Sequence, residues 1–168
     1  MSFEKGQRVI YDGRELCRTD ELCTKCFDGV HREEYLRLIP ENAPASCYYV
    51  PADRIEDRVR PLMTREEIYA AIDNSTRERA LTDSDKNRRK AILSQTVKSG
   101  DSSLIIGMIR ELLEEKSRRN AEGKELIACD EKALSAACRQ ISAEFSAVLG
   151  IPENEVGRLI EERLSANE

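Results

Sequence analysis

Between Phe3 and Leu62 the apolar positions alternate over short runs, and turn residues follow one another closely, which is the pattern of half-buried strands. Residues 7–11 read as a strand, ended by the turn dipeptide Asp12-Gly13. Further strands are expected at about 16–22, 34–38 and 46–50, separated by Asp28-Gly29 and by Pro40-Glu41-Asn42-Ala43-Pro44. So many short strands in so short a stretch predict a small, partly closed β barrel. At Thr64 the period changes. Thr64-Arg65-Glu66-Glu67 is a capping box, in which hydroxyl and carboxylate each satisfy a free N–H at a helix start, and Ile68, Ala71 and Ile72 then mark an apolar face.

Helical spacing continues to the end of the sequence. Asp101 is placed to cap a helix whose stripe is Leu104, Ile105, Met108, Ile109, Leu112 and Leu113, with Arg110, Glu114, Glu115 and Arg118 facing away. A further helix is expected over about 125–149, carrying Leu134, Cys138, Ile141, Phe145 and Val148, with Gly150 suited to its exit. Pro152 then opens a last short helix bearing Val156, Leu159, Ile160 and Leu164. The fold class predicted is α+β: a β module over residues 1–62 and an all-helical domain over 63–168, with the change of character near Arg60-Pro61.

Composition narrows the function. The chain of 168 residues is 40% hydrophobic and 35% charged, without Trp, and no run approaches the roughly 20 apolar residues of a membrane span. The start, MSFEKGQRV, lacks a signal-peptide apolar region, so a cytoplasmic address and no membrane contact are expected. In that compartment the six cysteines are expected to be reduced. Cys23-Thr24-Lys25-Cys26 has the spacing of half a zinc site, but Cys17 and Cys47 stand singly and His31 is the sole histidine. Free thiols and no metal are therefore expected, with a zinc-binding regulatory module as the alternative. With no Gly-rich phosphate loop and no clustered nucleophile and base, neither catalysis, a cofactor nor a small-molecule substrate is expected.

A net charge of -5 argues against indiscriminate coating of nucleic acid. Locally the balance reverses: Arg77, Arg79, Lys86, Arg88, Arg89, Lys90 and Lys98 face only Glu78, Asp83 and Asp85. This segment is the best phosphate-binding candidate, the plainer alternative being a solvated charged face.

Several strings resemble the CarD/CdnL family of bacterial transcription regulators in order and spacing. They are Phe3-Glu4-Lys5-Gly6-Gln7-Arg8-Val9-Ile10-Tyr11, Glu34-Tyr35-Leu36-Arg37-Leu38, Val50-Pro51-Ala52-Asp53 and Val59-Arg60-Pro61-Leu62 in the first part. In the second they are Asn87-Arg88-Arg89, Lys98-Ser99-Gly100-Asp101, Ile109-Arg110-Glu111-Leu112 and Leu149-Gly150-Ile151-Pro152-Glu153. The resemblance implies a Tudor-like module that docks on the RNA polymerase β subunit by strand pairing, and a helical domain that touches promoter DNA at the upstream edge of the melted region. The implied activity is control of open-complex stability.

Carried over by position, the polymerase-binding residues are Tyr49, Lys25, Val50 and Pro51, and the DNA-binding residues are Lys86, Arg88, Arg89 and Lys90. Tyr49 falls where relatives often carry a basic contact residue. Lys25 matches within a hairpin whose turn is one residue longer here. On the plainer reading Tyr49 packs on the sheet and Lys25 is solvated. Many relatives place Trp two residues before the Arg pair, as a wedge into the minor groove; here that residue is Lys86. An ammonium reaches a phosphate but does not stack on a base, so DNA contact is expected without the wedge. The competing reading is an adaptor that keeps the polymerase-binding module and uses its helices for a second protein.

Overall fold

The structure, a computed structural model, describes residues 2–75 and 85–167. It divides into two compact units, Met1–Leu62 and Met63–Glu168. The described residues form an α+β protein.

The first unit is an antiparallel five-stranded sheet in the order β4-β3-β2-β1-β5. Its strands are β1 (Arg8–Tyr11), β2 (Glu15–Lys25), β3 (Glu33–Pro40), β4 (Tyr48–Pro51) and β5 (Val59–Pro61). Asp12 and Gly13 both take positive φ, 49° and 71°, which turns β1 into β2 with the twist a tight hairpin needs. One face carries the core: Val9, Cys17, Leu36, Leu38, Val50 and Val59 are buried together. The Tyr11 and Tyr48 rings stack at 4.9 Å although their strands, β1 and β4, are separated by two others. The sheet is therefore strongly curled.

The expectation was a small, partly closed barrel; the strands form a curled antiparallel sheet that is not closed. β4 and β5 each pair on one side only. Between them the chain makes a 3-10 turn (Ala52–Arg54) and a one-turn helix, α1 (Ile55–Arg58), which contacts both strands. A bulge between Thr19 and Leu22 breaks the β2–β3 register, and beyond it Leu22, Thr24 and Lys25 are exposed.

The second unit is helical: α2 (Arg65–Asp73), α3 (Lys86–Ser99), α4 (Ser102–Ala121), α5 (Ala128–Leu149) and α6 (Val156–Ala166). The capping box at Thr64 is formed, with Thr64 Oγ1 accepting from the Glu67 N–H at 3.1 Å and the Glu67 carboxylate accepting from the Thr64 N–H at 2.7 Å. Asp101 caps α4 as expected, and Gly150 ends α5 at φ 70°. α4 is more enclosed than its stripe suggests, because Ile106 and Gly107 are buried while Leu104 is partly exposed. Arg110, expected to face away, is instead half-buried and donates to the Ser75 carbonyl at 3.1 Å. The core of this unit gathers Ile68, Ile72, Leu93, Ile109, Leu112, Ile141, Phe145 and Ile160 from all five helices. No helix among the described residues is long and apolar enough to cross a membrane.

Candidate functional site

In the first unit the pleat separates β3 and β4 into two faces. Leu36, Leu38 and Val50 point into the core, so Tyr35, Arg37, Tyr49 and Pro51 stand on the opposite face, with Arg37 paired to Tyr49 and Tyr35 to Pro51. Cys23 of β2 lies opposite Tyr35, and Lys25 two residues further along that strand is on the same face. From the hairpin loop, Phe27 completes an aromatic group: its ring lies 5.1 Å from Tyr35 and 5.4 Å from Tyr49, both edge to face. Lys25 Nζ stands 5.6 Å from the Tyr49 ring centroid, within cation–π reach.

The loop itself is held by Asp28. Its Oδ1 accepts from the Val30 and His31 N–H groups at 2.9 and 2.7 Å, and Oδ2 meets His31 Nδ1 at 2.6 Å. The His31 and Val30 amides, then the His31 ring, hold its carboxyl down at about 2. The Tyr35 phenol is raised foremost by its hydrogen bond to Glu33, and that of Tyr49 foremost by its interaction with Cys47. Leu22, Phe27 and Val30, which are 58%, 63% and 77% exposed, all belong to this one hairpin. By register Leu22 pairs with core-facing Leu36 and so lies on the other face, and the group beside Lys25 consists of Phe27, Tyr35 and Tyr49. Aromatic rings beside a cation are the kind of group that anchors protein interfaces.

Tyr49 and Lys25 are thus brought together. Pro51 shares their face at the end of β4. Val50 does not, since its side chain is wholly buried in the core and only its main chain lies on the edge strand. Phe27 and Tyr35 were not singled out by the sequence, because Phe27 lies in a turn and Tyr35 reads as one more strand residue.

In the second unit Lys86, Arg88, Arg89 and Lys90 fall in the opening turns of α3, where Asp85 caps by accepting from the Asn87 and Arg88 N–H groups. Lys86, Arg88 and Lys90 are exposed. Arg89 is turned into the helical unit, where it donates to Asp130 of α5; the two side chains are 17% and 1% exposed. The Asp130 carboxyl is raised, foremost by burial, with Arg89 acting in the opposite sense. Arg77, Glu78, Arg79 and Asp83 lie outside the described residues.

The six cysteines are free thiols. Among the described residues no three His, Cys, Asp or Glu side chains form a group that could hold a metal ion. Comparison with known protein families and with curated proteins found no match to this chain.

Proposed function

We propose that this protein is a transcription regulator which docks on the RNA polymerase β subunit through its β unit and meets promoter DNA through its helical unit, changing the stability of the open complex. The observation that carries the reading is the meeting of Lys25 and Tyr49. The two residues match the family by position, lie far apart in sequence, and meet on one aromatic face at β4, a strand with a single sheet neighbour. An edge strand supplies main-chain hydrogen bonds to an added strand, and adjoining side chains supply the selectivity. The curled sheet supports reading the β unit as Tudor-like. The exposed cations Lys86, Arg88 and Lys90 support phosphate contact by α3.

The test is binding of the full chain to purified polymerase β subunit. Tyr49→Asp, which breaks the aromatic group without touching the core, is expected to weaken binding by roughly thirtyfold, the effect of losing about 2 kcal/mol at a hot spot. Undiminished binding by this variant contradicts the docking face.

The adaptor reading is favoured by one pair of facts: Lys86 stands where a wedge would be, and Arg89 points inward. An adaptor binds no promoter DNA. Salt-sensitive DNA binding by the full chain, weakened by Lys86→Ala and Arg88→Ala, separates the two readings.

A further inference from the structure

Two residues either side of Arg89 behave differently from it. Successive residues of a helix are rotated by about 100°, and the inner stripe of α3 runs through Arg89, Leu93 and Thr96, of which the latter two are buried. Arg88 and Lys90 therefore stand on opposite flanks of that stripe, with Lys86 one turn before Lys90. Arg89 is half-buried and pairs with Asp130, whereas Lys86, Arg88 and Lys90 are exposed.

That partner is well sealed. Asp130 is fully buried in the first turn of α5, and Glu115 and Arg119 of α4 are close enough to influence its carboxyl. α3, α4 and α5 thus converge on one charged group. If Arg89 left for a phosphate, Asp130 would be stranded as an enclosed carboxylate without the guanidinium that bonds it, which is among the costlier arrangements in a protein interior.

We infer that Arg89 is not a phosphate contact but an internal strut, and that Asp130 is the positioning residue that fixes the rotation of α3 so that Lys86, Arg88 and Lys90 are presented to DNA. The inference rests on the proposed DNA-facing role of α3. It divides a pair of adjacent arginines between two tasks: Arg88 neutralises charge on the ligand, and Arg89 neutralises charge within the protein.

The experiment uses the full chain with four variants: Arg88→Ala, Arg89→Met, Asp130→Leu and the double change Arg89→Met with Asp130→Leu. Two quantities are followed, thermal melting and the slope of log affinity for a promoter fragment against log salt. Arg88→Ala is expected to flatten the slope by about 0.9, one phosphate contact. Arg89→Met and Asp130→Leu are each expected to lower the melting temperature and weaken DNA binding at an unchanged slope. The double change, which replaces the ion pair by apolar packing, is expected to recover both melting and affinity. A slope flattened by about 0.9 in the double variant would overturn the inference, because Arg89 would then be neutralising a phosphate. So would melting losses that simply add, because the two side chains would then be uncoupled. Absence of salt-dependent binding by the parent protein contradicts the DNA-facing role itself and with it the presentation of Lys86, Arg88 and Lys90, while the melting cycle still decides the strut.

Discussion

Cys17 and Cys26 belong to the same unit and have opposite chemistry. Burial in the sheet core pushes the Cys17 thiol up to about 12, whereas Cys26 is exposed in the hairpin loop. Since Cys26 is exposed, and Cys17 is enclosed with its reactive thiolate form disfavoured, a maleimide is expected to label Cys26 promptly and Cys17 only after unfolding, as read by site-resolved mass spectrometry. Prompt labelling of Cys17 would show the core to be open. Asp28 makes the second residue-scale case. Its carboxyl is depressed from 3.8 to about 2 in the folded loop, so the contribution of its hydrogen bonds is complete above the ordinary value and is lost as pH falls through about 2. The amide signals of Val30 and His31 are expected to hold their folded positions down to about pH 3 and then move together. Movement centred near pH 4 contradicts the hydrogen-bonded loop. Neither feature stands out in the sequence, and nor does Asp130, because an acid in the first turn of a helix ordinarily complements the helix dipole and stays wet.

Elements with a strong local signal were legible. Thr64-Arg65-Glu66-Glu67 starts α2 and Asp101 starts α4 because capping is decided by neighbours in sequence. Thr64→Ala is accordingly expected to destabilise the helical unit by about 1 kcal/mol in denaturant unfolding, and no change would mean the box is dispensable. β5 and α1 were not legible, since three strand residues ending in proline and a single helical turn are too short to show a period. The inner face of α4 was legible only in part: Ile106 and Gly107 are enclosed because other helices surround it, which no single stripe can announce. For α3 the spacing identified a basic stretch but could not distinguish the inward Arg89 from the outward Arg88. If α3 lies at the edge of the melted region, Lys86→Trp restores an intercalating ring. It is expected to lengthen open-complex lifetime on a fork-junction template more than on duplex DNA, and equal lifetimes on both would place Lys86 away from the junction.

At the scale of the molecule, each unit has a core of its own, and each carries one candidate surface. The β unit offers an aromatic face that carries Lys25 and Arg37, and an edge strand; the helical unit offers exposed cations at a helix start on a chain of net charge -5. On the proposed reading, weak DNA binding would be made effective by tethering, because a polymerase-docked protein would meet the promoter at high effective concentration. The two variants that separate these surfaces are Tyr49→Asp, which is expected to weaken the proposed docking, and Lys86→Ala with Arg88→Ala and Lys90→Ala, which removes charge from α3. The most direct test of the account is the lifetime of a promoter open complex formed by purified polymerase with and without the full chain. The expected result is a lifetime changed by the parent protein and returned to that of polymerase alone by either set of substitutions. A lifetime that the parent protein leaves unaltered, or alters equally with both surfaces removed, contradicts it.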